Sequence, residues 1–311
     1  MRFTFVILLF CCFGADAQMI IKAHPNYVPL SEDCQDTCTR LILDCYPNAE
    51  AAYSLRKLRT AYTGNCIRVR RTGDNVEQNI GFVNNYLDTA ALKTFIGSVS
   101  GFITTWYDQA GSRNATQTNA ANQPNIVSAG SLRYKDGFVT IYTTSVSNQD
   151  FLSSSRILSN DNFTIFGIVG FDNIQSNISI LSQHTGASDL NRTIFLGSIS
   201  STTVANARIF FNNGANRDAA STTLYNTGSL LTLLETESDD NGTTTFITNG
   251  GNKATLTGQT WTPLNTATTF GALGNATSGF TGGITEIIIY STKQTNTCKI
   301  RNAINSYYGI Y

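Results

Sequence analysis

The stretch GFITTWYDQAG, residues 101–111, marks the point where the sequence becomes a series of short strands. Further short apolar and β-branched segments follow it, separated by Asn, Asp, Gly and Ser: FTIFGIVGF, ISILSQ, TIFLGSI, ARIFFNN, SLLTLLE, TTFITN, TFGALG and GITEIIIY. Asn241-Gly242 and Asn249-Gly250 are hairpin turn signals. Many short strands with turn residues between them are typical of a sandwich or jelly roll. The sequence therefore predicts an all-β fold.

Three segments have apolar side chains at helical spacing and predict short helices. Residues 49–59 repeat alanine and leucine near that spacing. Residues 88–96 have Asp88 as a helix N-cap and are followed by Gly97 as a terminator. The final segment, NTCKIRNAINSYYGIY, predicts a helix that closes the domain.

The N-terminus predicts secretion. Arg2, an apolar run and the small residues of Ala15-Asp16-Ala17 form a signal peptide over residues 1–17, so we expect a secreted, extracellular protein. Residues 18–33 then form an N-terminal arm, and residues 34–311 form one domain. The arm carries an apolar patch, which we expect to dock on its own domain or on another copy: Met19, Ile20 and Ile21. No other apolar run approaches the roughly 20 residues of a membrane span.

Charge and cysteine content narrow the class of protein. The chain has 21 basic and 21 acidic residues, which makes nucleic acid an unsuitable partner. Five cysteines follow the signal peptide: Cys34, Cys38, Cys45, Cys66 and Cys298. We predict that Cys45 pairs with Cys66 and Cys34 with Cys38, leaving Cys298 free or intermolecular, although other connectivities stay open. Six N-x-S/T sequons are glycosylation candidates: Asn114, Asn162, Asn177, Asn191, Asn241 and Asn275.

Candidate catalytic groups are few. The only histidines are His24 and His184, which excludes triads and multi-histidine metal sites and leaves His184 as a surface or edge residue. Two carboxylates can hydrolyse a glycoside, and the candidates are Glu235, Glu237 and Asp239. Asp239 and Asp240 could alternatively bind calcium, the one cofactor we consider, or form a solvated turn. Glu286, in the middle of a strand, is interpreted as a partnered structural carboxylate.

The residues at the end of the opening strand have two interpretations. Asp108 can accept hydrogen bonds from the backbone N–H groups that follow it, which builds a turn and needs no ligand. Aromatic, carboxylate and amide side chains together also build sugar-binding grooves, which makes four neighbours glycan-binding candidates: Trp106, Tyr107, Asp108 and Gln109.

Several of these segments resemble a known family. AAYSLRKLRTAYTGNCIRVRR, DNVEQNIGF, LDTAALKTF and ITTWYDQAG are similar to the N-terminal half of the catalytic domain of fungal-type α-L-arabinofuranosidase B, and to secreted and phage-associated proteins that share the segment. GGITEIIIYSTKQ and IRNAINSYYGIY resemble the end of concanavalin A-like, laminin-G-like sandwiches. The resemblance covers roughly residues 46–130 and 268–311. It implies a jelly-roll sandwich with a glycan-binding face.

The catalytic pair of that family is not evident here. The resemblance places the nucleophilic glutamate near residues 205–216, where this chain has no glutamate, and the acid/base aspartate at Asn275, where an amide cannot deliver a proton. The preferred hypothesis is therefore a non-catalytic extracellular structural or adhesion module, which binds glycan or assembles into filaments through its arm. The alternatives are an arabinofuranosidase-like hydrolase with a relocated carboxylate pair and a calcium-dependent lectin.

Overall fold

The computed structural model describes residues 34, 38–144, 150–172, 178–184, 193–201, 204–212, 216–224, 230–272 and 279–311. The signal peptide, the arm with Met19, Ile20 and Ile21, and the sequons at Asn177, Asn191 and Asn275 lie outside these residues. The division into signal peptide, arm and single domain thus stays a prediction.

The described chain consists mainly of strands. The first twelve are β1 Ala51–Ser54, β2 Ile67–Arg71, β3 Glu77–Ile80, β4 Phe82–Val83, β5 Tyr86–Leu87, β6 Gly101–Trp106, β7 Ala115–Thr116, β8 Asn125–Ser128, β9 Ser131–Leu132, β10 Tyr134–Lys135, β11 Phe138–Val139 and β12 Ile141–Thr143. The others are β13 Leu152–Ser154, β14 Phe163–Phe171, β15 Ile178–Gln183, β16 Thr193–Ser201, β17 Val204–Asn212, β18 Asn216–Leu224, β19 Thr232–Ser238, β20 Thr244–Thr248, β21 Asn252–Leu256, β22 Thr268–Phe270 and β23 Gly282–Tyr290. The α-helices are α1 Ile42–Cys45, α2 Thr89–Ile96 and α3 Thr297–Tyr308, with a 3₁₀ turn at Ala120–Asn122.

These strands form two antiparallel layers. The first runs β21, β20, β19, β14 and β23, with β1 and β12 both paired to β23. The second begins with β3, β2 and β6 and continues through β7, β13, β22, β15, β16, β17 and β18. Strand β8 pairs with both β6 and β12 and so joins the two layers. The prediction of an all-β sandwich with a few short helices is confirmed.

Strand β23 explains why the first layer is apolar on both faces. Ile287 and Ile289 point into the core between the layers, together with Tyr53. Ile288 and Tyr290 point the other way and pack with residues of α1 and α3, including Ile300, Ile304 and Tyr308 of α3. Successive side chains of a strand alternate between faces, so a strand covered on both sides reads as a continuous apolar run.

Two of the three predicted helices are confirmed. Asp88 caps α2 by accepting a hydrogen bond from the Ala91 N–H at 2.8 Å, and Gly97 ends the helix with φ of 62°. The closing helix is α3. The helix predicted over residues 49–59 is wrong, because Ala51–Ser54 instead pair with β23 as strand β1 and are buried on both faces. The two hairpin turns lie where predicted, with positive φ at Gly242 and at Asn249-Gly250.

The disulfide prediction is wrong. Cys34 pairs with Cys298 at the start of α3, and Cys38 pairs with Cys45 at the end of α1, with Cα atoms 5.3 and 5.9 Å apart. Cys66 is the free cysteine, because its side chain lies in the core between the layers, out of reach of the other four. Burial raises the pKa of its thiol, which keeps it unreactive. Two disulfides are consistent with an extracellular compartment. No described helix is long and apolar enough to span a membrane.

We predict that the two disulfides differ in their contribution to stability. Cys34 and Cys298 are 264 residues apart, whereas Cys38 and Cys45 are separated by seven. A longer closed loop removes more entropy from the unfolded chain, so we expect serine replacement of the first pair to lower the free energy of unfolding by about 4 to 5 kcal/mol and of the second by about 2 to 3 kcal/mol. Guanidinium unfolding of the two double variants checks this order, and equal losses would contradict it.

Candidate functional site

Asp108 forms a buried corner after β6. Its Oδ1 accepts hydrogen bonds from the N–H groups of Ala52 and Ala110, both at 2.9 Å, and its Oδ2 accepts one from the Arg113 N–H at 3.0 Å. The residue is 1% exposed. Its carboxylate therefore satisfies three backbone donors and joins the turn to β1.

Gln109 continues this connection. Its Oε1 accepts from the Leu58 N–H at 2.8 Å, and its Nε2 donates to the carbonyls of Ser54 and Arg56 at 3.0 and 2.8 Å. The turn-building interpretation is confirmed. The proposed sugar-binding groove is wrong for Trp106, Asp108 and Gln109, because all three are buried and the last two have their polar atoms bonded to the chain. Tyr107 is half-buried, and its hydroxyl donates to Asn79 at 2.8 Å.

The three candidate catalytic carboxylates lie in one row. Glu235 and Glu237 share the outer face of β19 with Leu233, which packs in the apolar cluster beneath α3. Asp239 follows at the end of the strand. Residues two apart on a strand face the same side, with Cα atoms about 7 Å apart. The row therefore runs from a buried position at Glu235, through half-buried Glu237, to the hairpin turn.

Glu235 is 0% exposed and pairs with Arg301 of α3 through two hydrogen bonds of 2.5 and 3.0 Å. Burial raises the pKa of Glu235 to about 8: Arg301 opposes the shift, and the neighbouring carboxylate of Glu237 adds to it. Glu237 itself has no ion pair with any residue that the structure describes. Two carboxyl groups in different environments, buried Glu235 and half-buried Glu237, thus lie side by side on the strand.

Asp239 has a structural role in the turn. Its Oδ1 accepts from the N–H groups of Asn241 and Thr243, and its Oδ2 accepts from Lys293 Nζ at 2.9 Å. Although partial burial opposes the effect, these contacts from Lys293 and the turn lower the pKa of Asp239. Asp240 accepts from the Asn162 side chain at 3.0 Å. Within the described ranges no group of three or more His, Cys, Asp or Glu could hold a metal ion, so the calcium hypothesis gains no support there.

The remaining predicted residues also have defined places. Glu286 is a partnered structural carboxylate, as predicted, with donors from Ser54, Arg56 and Tyr308. His184 is buried at the end of β15, so the prediction that it is a surface or edge residue is wrong about its exposure. Among the sequons, Asn114 and Asn241 are exposed and Asn162 is half-buried; glycosylation stays a prediction for all six.

Two arginines that the sequence did not single out hold the buried carboxylates. Arg56 pairs with Glu286, and Arg301 pairs with Glu235. Arg301 lies at helical spacing next to Ile300 and Ile304, on the flank of the face that α3 buries. In the sequence, the indication of the pair between Arg301 and Glu235 was a basic residue beside the apolar face of the predicted helix.

This geometry places buried Glu235 beside half-buried Glu237 on the outer face of a β-sandwich. Residues 44–146 match the family model described as alpha-L-arabinofuranosidase B, catalytic. A comparison of the sequence with curated proteins found no match. The fold is that of the arabinofuranosidase B catalytic domain.

Solved structures give the same fold. A Glu-to-Gln mutant of a GH54 α-L-arabinofuranosidase soaked with 4-nitrophenyl α-L-arabinofuranoside has a TM-score of 0.62 at 13% identity. An arabinofuranosidase complexed with arabinofuranosyl-α-1,2-xylobiose has a TM-score of 0.61 at 14% identity. Each match covers 85% of this chain and 64% of the other, so the chain spans less than two thirds of these proteins.

These findings correct the preferred interpretation of the sequence. A non-catalytic, self-assembling structural module was expected because the family's catalytic pair was not evident. The family match and the solved structures instead favour the alternative, an arabinofuranosidase-like glycoside hydrolase.

We predict that Asp108→Asn destabilises the fold. The amide keeps one acceptor oxygen and places an N–H₂ group against backbone donors, so a buried N–H loses its partner at a cost of about 2 to 4 kcal/mol in unfolding free energy. Asp74→Asn, in an exposed turn with Arg71, is the control, and we expect it to leave the stability nearly unchanged. Urea unfolding measures both; equal effects would show that the corner is not essential.

We also predict a stability that depends on pH through Glu235. Its pKa is raised from 4.5 in the unfolded chain to about 8 in the fold, so the folded state keeps a proton that the unfolded state releases. The resulting stability is present below pH 4.5 and is lost as pH rises to about 8, with a slope of at most about 1.4 kcal/mol per pH unit. Unfolding free energies at several pH values should show this slope in the wild type and in Glu77→Gln, but not in Glu235→Gln. A wild-type slope that persists in Glu235→Gln would assign it to another group.

Proposed function

We propose that this protein is a glycoside hydrolase that acts on α-L-arabinofuranosides. The observation that carries the proposal is the arabinofuranosidase-like fold over 85% of the chain, shared with proteins whose solved structures were obtained with arabinofuranoside ligands. The family match over residues 44–146 supports it independently of the structure.

The chemistry requires two carboxyl groups at one site. One protonates the departing glycosidic oxygen, and the other attacks the anomeric carbon or activates water. Glu235 and Glu237 are side by side on one strand face, and Cα atoms about 7 Å apart allow their carboxyl groups to approach the roughly 5 Å separation of retaining enzymes. We therefore assign a retaining mechanism to this pair.

The two residues have different roles. Glu235, with a pKa of about 8, holds a proton at neutral pH and serves as the general acid. Glu237 is half-buried at the margin of the cover that α3 provides, so a sugar can reach it, and it serves as the nucleophile. Arg301 donates two hydrogen bonds to Glu235 and interacts electrostatically with Glu237. Glu235 gives its proton to the departing aglycone oxygen as Glu237 bonds to the anomeric carbon; Glu235 then takes a proton from water, which attacks that carbon and releases the sugar and the Glu237 carboxylate.

We expect hydrolysis of 4-nitrophenyl α-L-arabinofuranoside by the secreted protein and a loss of at least about a thousandfold in kcat for Glu237→Gln, because an amide cannot form the glycosyl intermediate. Release of 4-nitrophenol measures the rate. The control is Glu77→Gln, which neutralises an exposed strand glutamate that pairs with Arg68. The control should retain wild-type activity.

The outcomes separate the function from the residue assignment. Turnover that is lost in Glu237→Gln and kept in Glu77→Gln supports both. Turnover that survives in Glu237→Gln supports the hydrolase and rejects the assigned pair. Absence of turnover at high enzyme concentration, on both the aryl substrate and an arabinofuranosyl-xylobiose, rejects the function.

A further inference from the structure

A groove of about 340 Å³ lies on the face of the molecule that α3 covers. Its walls are the β4–β5 hairpin, the C-terminal half of α3 and the segment that leads into α1. We call it the tyrosine groove, after Tyr86 of β5 and Tyr307 of α3. The carboxylate row of β19 does not line it.

The aromatic surface of this groove is exposed. Tyr86 is 56% exposed, although a tyrosine ring of this size is usually covered. Its ring lies 6.2 Å from that of Tyr307 with an angle of 24° between the planes, and we call this stacked pair of rings the aromatic platform. Flat aromatic surfaces of this kind pack against the C–H faces of sugar rings while the hydroxyls remain free to form hydrogen bonds.

The platform is held rigid from below. The guanidinium of Arg56 lies 4.0 Å from the centre of the Tyr307 ring, and two hydrogen bonds to Glu286 fix it in place. Phe138 packs against the same ring at 5.7 Å. Little conformational entropy is then lost when a ligand binds, which favours affinity.

Amide groups lie at the rim. Asn84 and Asn85 form the tip of the hairpin with φ of 51° and 67°, and the carbonyl of Asn85 accepts a hydrogen bond from the Lys57 N–H at 2.8 Å. Both side chains are exposed. An amide offers a donor and an acceptor together, which suits neighbouring hydroxyls on a sugar.

The charge around the groove is of one sign. Arg40, Arg56 and Lys57 line it, and Arg40 and Lys299 line an adjoining groove of about 420 Å³. Among the residues that the structure describes, no aspartate or glutamate lines either groove, although the whole chain has a net charge of zero. In the part of the chain that the structure describes, Arg40, Lys57 and Lys299 have no ion pair. A concave surface with charges of one sign concentrates ligands of the opposite sign.

One described carboxylate, Asp44, lies close enough to Arg40 to interact with its charge. Arg40 contributes to the lowered pKa of Asp44, but less than the hydrogen bonds from Thr60, which outweigh the opposing effect of partial burial. Thr60 donates to Asp44 from both its N–H and its hydroxyl, at 3.0 and 2.6 Å. These bonds hold Asp44 in place and leave its charge, so it offsets part of the charge of Arg40, whereas Lys57 and Lys299 keep theirs.

We propose that the tyrosine groove binds an acidic oligosaccharide, one whose rings stack on Tyr86 and whose uronic acid carboxylates pair with Lys57 and Arg40. Two observations that do not depend on each other carry this: the exposed, rigid aromatic platform requires a ligand with flat apolar faces, and the all-cationic lining requires a ligand with negative charge. This site is separate from the proposed catalytic pair, and its function does not depend on hydrolysis.

The test uses two ligands with the same rings. A trigalacturonide and its fully methyl-esterified form differ only in the charge of their carboxyl groups, and calorimetry with the full chain measures both dissociation constants. We expect the acid to bind at least about tenfold more tightly than the ester at low salt, and the difference to shrink in 0.5 M salt because added ions screen exposed charges. Tartrate supplies carboxylates without rings and should not bind measurably.

Variants at the groove have matched controls elsewhere on the surface. We expect Tyr86→Ala to weaken binding of the acid about tenfold, and Lys57→Gln to weaken it while leaving binding of the ester unchanged. Tyr134→Ala removes another exposed tyrosine, and Lys93→Gln removes another exposed cation. Neither should alter binding.

The remaining outcomes would overturn the proposal. Equal affinity for the acid and the ester would show that the cations do not contribute to binding. Equal affinity for tartrate and the acid would show that the sugar rings do not contribute. Binding that is insensitive to Tyr86→Ala would place the ligand outside the groove. Loss of arabinofuranoside turnover in Glu237→Gln with unchanged binding of the acid would support the separation of the two sites, whereas loss of both together would contradict it.

Discussion

The ion pair between Arg56 and Glu286 connects the parts of this structure that matter for function. Glu286 lies in the middle of β23, 1% exposed, and receives two hydrogen bonds from Arg56 and one each from Ser54 and Tyr308. A buried carboxylate without partners would cost several kcal/mol, so the donors must be in place when the strand is covered. The pair thereby ties β1, β23 and α3 together.

A second arginine pairs with a second buried glutamate on the outer face of the first layer. Arg301 pairs with Glu235 on β19, two strands away from Glu286, and the apolar side chains of Ile300 and Ile304 fill the space between the two ion pairs. Each pair contributes little net stability, because desolvation offsets most of the attraction. Breaking one leaves a buried charge without a partner, which is strongly unfavourable. The pairs therefore determine where α3 lies, whereas the apolar contacts hold it there.

Signals confined to a few residues were predicted correctly from the sequence. Helix α2 has its cap and terminator within ten residues, and the Asn-Gly hairpin turns carry their own geometry. The strand at residues 51–54 was not predicted, because its conformation depends on pairing with β23, more than 230 residues further along the chain. The cysteine pairing failed for the same reason, since Cys298 reaches Cys34 only after α3 has docked.

The candidate site could be predicted only in part. Glu235 and Glu237 were identified in a run of acidic residues at a predicted hairpin tip, which is a local pattern, whereas the structure places both on strand β19. Arg301, the partner of Glu235, is 66 residues away from it, and nothing in the intervening sequence indicates the contact. The role of Asp108 and Gln109 was open for a related reason: a polar pair after a strand looks the same whether its partners are backbone groups or a ligand. The structure decides between the two, because backbone groups of β1 form hydrogen bonds with both side chains.

The position of Arg301 has a consequence for the proposed chemistry. As the partner of Glu235 in an ion pair it favours an ionised carboxylate, whereas a general acid must carry a proton. The conflict is resolved by Glu237, because two neighbouring carboxylates beside one guanidinium cannot both be ionised without repulsion, and the one with less access to water gives up its charge. Glu235 is fully buried and Glu237 is not, so the proton resides on Glu235. The burial of Glu235 thus keeps a proton on its carboxyl group, and this is the protonation state that the proposed role of general acid requires.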